Sequence, residues 1–153
     1  MITSESIDQY SAGTALLRRA IAGMSAAELN AVPIAGQWST RQVVCHIADF
    51  ELVYADRLKR VIAEHEPSFF GGDPDTFAAG MAYAARDVEN ELNMVDATRC
   101  QMVSILRSLS AVDFQRLGNH SQAGPLSLTD LLQGIAGHLP HHVAFIDAKR
   151  RAL

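Results

Sequence analysis

The sequence lacks several features that mark large classes of protein. Its two cysteines, Cys45 and Cys100, are too few for a disulfide framework and too far apart for a CxxC motif. No apolar run approaches the roughly 18 residues of a membrane span, and the N-terminus has neither the cationic start nor the apolar block of a signal peptide. The formal charge of −4 argues against nucleic-acid or anionic-membrane binding. We therefore expect a cytoplasmic protein with no nucleic-acid or membrane partner.

The composition is that of an ordinary globular domain. Of the 153 residues, 48% are apolar and 20% are charged, which is enough to bury a core in a single domain over residues 1–153. There is no Ser-His-Asp arrangement, no phosphate-binding glycine loop and no dinucleotide fingerprint. The glycine-rich segment "FGGDPD" is typical of a turn.

Helix starts are clearly marked. Ser25, Ser39, Ser110 and Ser127 are each followed three residues later by an acid or amide, the pattern of a capping box. Together with apolar periodicity, these signals predict long helices over 4–23, 40–65, 86–109 and 128–150, and short ones over 26–31 and 111–116. We find no alternating strand pattern. The predicted fold is an all-α, up-down four-helix bundle with short extra helices in the loops.

The segment "GHLPHHVAFI" holds half of the six histidines. On a helical wheel His142 falls within the apolar stripe of the last helix, and His138 lies at its edge one turn earlier. His141 points away. An i, i+4 pair of imidazoles on one face can chelate a single metal ion. The alternative is that the two histidines only cap polar edges of the core.

A chelating pair needs a further ligand, and the wheel does not choose between His46 and His120. His65 is expected to be a solvated helix end. Pro140 lies between the paired histidines and cannot donate a backbone hydrogen bond, so it should bend or widen the helix and free the carbonyl of Ala136.

Two charged residues fall within apolar stripes. Glu51 and Arg99 lie on the apolar faces of the second and third long helices, and buried charges are rarely left unpaired, so an ion pair is predicted. Alternatively, Glu51 orients a metal ligand or acts as a catalytic base. Cys45 and Cys100 are both interpreted as packing residues.

Two segments, "GQWSTRQVVCHIADFELVYADRLKRVIAE" and "GPLSLTDLLQGIAGHLPHHVAFIDAKR", carry a family resemblance across nearly the whole chain. The Trp-Ser helix start with its following histidine and the closing HxxHH cluster resemble the DinB/YfiT-like superfamily. The resemblance implies a four-helix bundle and a divalent metal ion, often nickel or zinc, held by three histidines. These positions fall on His46, His138 and His142.

The resemblance also implies a function. It points to a metal-dependent hydrolase or a thiol-dependent transferase that acts on a small molecule, since three nitrogen ligands leave open positions on a divalent ion. The alternative is a non-catalytic, stress-associated metal-binding bundle that acts through dimerisation. We expect a homodimer. Three histidines suit zinc, nickel, cobalt and iron alike, so the metal is not chosen by the ligands.

Overall fold

The computed structural model describes the backbone of residues 2–153 and the side chains of residues 4–153. Four long helices dominate it: α1 (Ile2–Ile21), α3 (Thr40–Ala63), α5 (Val88–Arg107) and α6 (Leu128–Ala152). Two short helices, α2 (Ala26–Asn30) and α4 (Pro74–Gly80), lie in the connections. Two 3₁₀ turns occupy Tyr83–Ala85 and Asp113–Gln115.

The predicted capping boxes form at three of the four serines. Ser25, Ser39 and Ser127 each accept a hydrogen bond from the backbone N–H three residues on, and the side chain at that position accepts one in return. At Ser110 the Asp113 carboxylate accepts from the serine N–H and hydroxyl, but only a 3₁₀ turn follows. The short turn of helix predicted around 111–116 is thus present as a 3₁₀ turn, with Phe114 buried in the core.

The four long helices pack as a bundle, which confirms the predicted fold class. The main contacts join α1 and α3 each to both α5 and α6, so α1 and α3 occupy opposite corners. Two apolar clusters fill the interior: one is centred on Leu58, Met102 and Leu132, the other on Ile47, Val95 and Leu139. Helix α3 is buried around most of its circumference because it packs against both α5 and α6.

A small sheet, which the sequence did not predict, closes one end of the bundle. It consists of β1 (Ser68–Phe69), β2 (Leu117–His120) and β3 (Gly124–Ser127), with β1 parallel and β3 antiparallel to the central β2. Strands of two to four residues containing glycine and proline are too short to show an alternating pattern. The sheet ties the loop after α3 to the β2–β3 hairpin.

Helix α6 continues through Pro140 without interruption. Cys45 is buried, as expected of a packing residue, whereas Cys100 is exposed, so the packing interpretation was wrong for Cys100. Residue 100 lies on the solvent side of an amphipathic helix whose buried face carries Val95 and Arg99. Within the described residues, no helix is both long enough and apolar enough to cross a membrane.

Candidate metal centre

His46 lies on the first half of α3, where the capped start of the helix places it against α6. Its side chain is 3% exposed, and its ring lies between Trp38, at 5.2 Å, and Phe50, at 4.6 Å between ring centroids. Helix α3 presents apolar residues on more than one face, so a side chain off the main stripe is still buried. The imidazole is therefore fixed in position by aromatic packing.

The three candidate histidines converge on one point. The Nε2 atom of His46 lies 3.0 Å from that of His138 and 3.0 Å from that of His142, and the last two are 3.1 Å apart. The structure thus brings together the three residues to which the family resemblance points. His141 is exposed and makes edge-to-face contacts with the rings of His142 and Phe145. His65 is exposed, and His120 lies apart from the three.

Burial keeps the three imidazoles neutral. It lowers the pKa of His46 to about 4, an effect that Asp49 partly opposes. Burial lowers the pKa of His138 to about 3 and that of His142 to about 4, and the charge of neighbouring imidazoles adds to both shifts. Neutral imidazole is the form that binds a metal ion. At neutral pH the cluster is therefore in its ligand state.

The hydrogen-bonding capacity of three neutral imidazoles does not account for this triangle. A neutral ring carries one N–H, and that N–H points in one direction only, so protons cannot join all three Nε2 pairs at once. The Nδ1 atoms of His46 and His138 are also buried without a partner in the described structure. A divalent cation that accepts the three Nε2 lone pairs fits the donor set, because zinc–imidazole bonds of about 2.0–2.1 Å suit such closely spaced nitrogens.

Among the residues whose side chains are described, no fourth ligand adjoins the triangle. Among the described residues, the group of closely spaced metal-binding side chains here contains His46, His138 and His142 alone. The Cys45 thiol is directed to the carbonyl of Tyr83, at 3.6 Å, and burial raises its pKa to about 11. A protonated thiol facing away is a poor ligand.

A cavity of about 400 Å³ is lined by all three histidines. Its walls are aromatic and histidine side chains together with the backbone of the loop after α3: Trp38, Phe50, Tyr54, Gly71, Gly72, Pro74, His120 and His141, with Arg57 and Gln122. A second concavity of about 290 Å³ shares Trp38 and His142 with the first and is lined further by Asp75, Phe145 and Lys149. His142 thus stands between two recesses.

Glu51 is engaged in a different network. Its carboxylate is fully buried and accepts hydrogen bonds from Arg99 Nε at 3.0 Å, Arg99 Nη2 at 2.8 Å and the Tyr10 hydroxyl at 2.5 Å. Desolvation and the Glu51 charge raise the pKa of Tyr10, so its hydroxyl remains a donor. The predicted ion pair with Arg99 is confirmed. Glu51 does not line either cavity at the histidines.

Residues 9–146 of the chain match the family model described as the DinB superfamily. The chain belongs to this superfamily. A protein of Oceanobacillus iheyensis named "Putative metal-dependent hydrolase" is 29% identical over 146 residues, which cover 95% of this chain and 84% of that protein. A protein of Bacillus mycoides with the same description is 28% identical over 90% of this chain and 79% of its own length.

The fold of this DinB-superfamily chain also has a solved counterpart. The structure of YfiT from Bacillus subtilis superposes with a TM-score of 0.91, covers 97% of this chain and 86% of YfiT, and is 24% identical in sequence. YfiT is described as a probable metal-dependent hydrolase with an unusual four-helix bundle topology. At that identity the match shows the shared fold.

The sequence analysis did not identify one charged residue that lines the cavity of about 400 Å³. Arg57 lies on α3 and is 6% exposed, although it is a polar residue between Asp56 and Leu58 in an amphipathic helix. Its guanidinium stands over the rings of Tyr54, at 5.1 Å, and Phe69, at 5.7 Å. Its position seven residues after Phe50 places it on the same face of α3 as His46, and this periodicity is the signal that could have identified it.

Proposed function

We propose that this chain is a divalent-metal-dependent enzyme that acts on a small molecule, with His46, His138 and His142 as the metal ligands. The observation that carries the proposal is the triangle of Nε2 atoms, 3.0–3.1 Å on each side, formed by three histidines that line a cavity of about 400 Å³. Zinc or nickel is the metal we propose. The names of the relatives, which describe metal-dependent hydrolases, support the same class.

Each part of the site has a defined task. The three neutral imidazoles hold the ion, and the aromatic rings of Trp38 and Phe50 fix His46 and limit access of water. When bound, a divalent ion with three nitrogen ligands activates a water or thiol nucleophile and polarises a substrate oxygen. His141 is exposed at the cavity and can carry a proton to or from solvent.

Two features of the site favour a thiol-dependent transferase over a hydrolase. Among the residues for which side chains are described, no carboxylate lines the cavity of about 400 Å³, and Asp75, the acid of the second recess, is exposed, so a buried acidic base for activating water is lacking there. A thiol ionises more readily than water and needs less help from a base. In addition, the two recesses that meet at Trp38 and His142 offer room for two reactants.

The first experiment is metal analysis of untagged protein by inductively coupled plasma mass spectrometry. We expect one zinc or nickel ion per chain, and none after His142→Ala. His65→Ala is the matched control, because His65 is exposed and lies apart from the cluster. Wild-type protein that retains no metal after incubation with zinc and nickel would contradict the proposal.

The second experiment separates an enzyme from a non-catalytic metal protein. Metal-loaded protein is assayed on esters, on amides and on thiol–electrophile pairs, and we expect turnover with the last group that is lost on chelation. Stoichiometric metal with no turnover on any group would favour the non-catalytic, stress-associated bundle. The homodimer and the cytoplasmic location remain predictions, and light scattering of the purified protein tests the first.

A further inference from the structure

Arg57 is a buried cation in the wall of the metal cavity. Its side chain belongs to a residue that is 6% exposed, and it lines the same cavity as His46, His138 and His142. The ring of Tyr54 is near both Arg57 and one of the ligands. The guanidinium carbon lies 5.1 Å from the Tyr54 ring centroid, and the His138 ring centroid lies 6.3 Å from the same point.

The positive charge of Arg57 has no carboxylate partner among the described side chains. The nearest acid in sequence, Asp56, instead accepts from Arg60 Nε at 2.8 Å, and Glu64 accepts from Arg60 Nη1 at 3.1 Å. Burial lowers the pKa of the Arg57 guanidinium, but arginine remains charged in proteins. A buried and unpaired charge is costly, and proteins seldom keep one without a use.

The contacts that Arg57 does make leave its hydrogen-bonding capacity largely unused. Nη2 donates to the carbonyl of Phe70 at 2.6 Å, which anchors the loop after α3, and the planar group stacks on Tyr54 and Phe69. Nε is buried and has no hydrogen-bond partner in the described part of the chain. An orphaned buried donor costs about 1–3 kcal/mol. Anchoring one carbonyl therefore does not explain a guanidinium with five N–H donors.

We infer that Arg57 is the anion-binding residue of the metal cavity and that one reactant seated there carries a carboxylate. The planar fork of N–H donors matches a carboxylate in two-point geometry, and the cation–π contacts hold the fork in place. The cavity of about 400 Å³ has room for a small molecule that reaches from the histidines to Arg57. This inference rests on the proposed metal centre for the position of the reacting end.

The test uses metal-loaded protein and two series of probes with matched chain lengths, ω-mercaptocarboxylates and neutral ω-mercaptoalcohols. Dissociation constants are measured by isothermal titration calorimetry. We expect wild-type protein to bind the best carboxylate at least about tenfold more tightly than its alcohol counterpart, the size expected of hydrogen bonds to a charged group. Arg57→Gln should abolish that preference, and Arg57→Lys should retain part of it.

Three controls keep the result specific. The glutamine side chain is too short to reach the Phe70 carbonyl, so Arg57→Gln removes the loop anchor together with the charge. Its thermal unfolding is therefore compared with that of Arg57→Lys, which keeps the charge. Arg60→Gln removes an exposed cation of the same helix and should leave the preference unchanged. Glutarate, which has no thiol, serves as a competitor. Competition by glutarate assigns the carboxylate to the second reactant, and its failure assigns the carboxylate to the thiol cosubstrate.

The outcomes distinguish failure of this inference from failure of the proposed function. If metal binds but wild-type protein shows no preference for carboxylates, or Arg57→Gln retains the preference, the inference is overturned. If no metal binds, the proposed function fails and glutarate is titrated into metal-free protein, with the Arg57 Nε–H nitrogen resonance as the readout. A saturable shift then supports the anion site, and an unchanged resonance overturns it.

Discussion

Replacing Glu51 by glutamine tests whether this buried carboxylate has a structural or a catalytic role. The substitution keeps the shape of the side chain but removes the counter-charge from Arg99, whose side chain is 2% exposed. Removing one partner of a buried ion pair leaves the other charge uncompensated and typically costs about 3–5 kcal/mol. Since whole domains are stable by about 5–15 kcal/mol, Glu51→Gln should remain folded but lose a large part of its stability.

The assay is urea unfolding of metal-free protein followed by far-ultraviolet circular dichroism. With a urea dependence of about 2 kcal/mol per molar, the expected loss lowers the unfolding midpoint by roughly 2 M with an unchanged slope. Glu89→Gln is the matched control, because Glu89 pairs with Arg18 at 2.8 Å but is 62% exposed. An exposed pair contributes about 0–1 kcal/mol, so this control should barely move the midpoint.

The refuting result is also specific. If Glu51→Gln unfolds at the same urea concentration as Glu89→Gln, the buried pair does not stabilise the bundle. If the variant keeps wild-type stability but loses metal-dependent turnover, the catalytic alternative is favoured. We expect instead that metal stoichiometry at saturating metal is unchanged, because Glu51 bonds Arg99 and Tyr10 rather than the histidines.

Three further predictions concern the metal ligands and the bundle. His138→Ala should abolish metal retention with an unchanged helical circular dichroism signal, and chelation of wild-type protein should also spare that signal, because the apolar core holds the bundle. Metal-free protein should lose stability as the pH falls from about 6.5 to about 4, by roughly 1.4 kcal/mol per pH unit for each titrating histidine. The reason is that histidines of the unfolded chain bind protons in this range and the buried ones do not. A urea midpoint that stays constant over this range would contradict the burial argument. Gly137→Ala should stabilise the protein by up to about 1 kcal/mol, because the helix is open at this site. Gly13→Ala should destabilise it, because the new Cβ would lie 2.0 Å from Arg99 Nη1. Thermal unfolding in which both variants gain stability would show that Arg99 can move away.

The sequence predicted those parts of the molecule that depend on short-range pattern. A capping box joins residues three apart, and the boxes at Ser39 and Ser127 set the starts of α3 and α6. The side-by-side placement of His138 and His142 follows from helical periodicity alone. Choosing His46 over His120 required knowing which helix faces α6, and that choice came from the family resemblance.

The features that the sequence did not predict depend on tertiary contacts. Strands β1–β3 gain their hydrogen bonds from partners up to about 50 residues away, so their own residues carry little strand signal. Arg57 and Arg60 are both arginines of α3, and only the position of β1 and the loop after it buries one of them. The loop that covers Arg57 is distant from it in sequence, so no local pattern shows how deeply this residue is buried.

Helix α3 is held on two sides, and this bears on how the metal binds. Glu51 ties it to α1 and α5 through Tyr10 and Arg99, while His46 faces α6 within the same stretch of helix. The core and the Glu51 network therefore fix the position of His46 whether or not a metal is bound, and folding itself brings the three imidazoles together. A preorganised site binds more tightly than one that must be assembled. It follows that loosening α3 through Glu51→Gln should weaken metal affinity without changing stoichiometry, whereas His138→Ala should change stoichiometry without loosening the bundle.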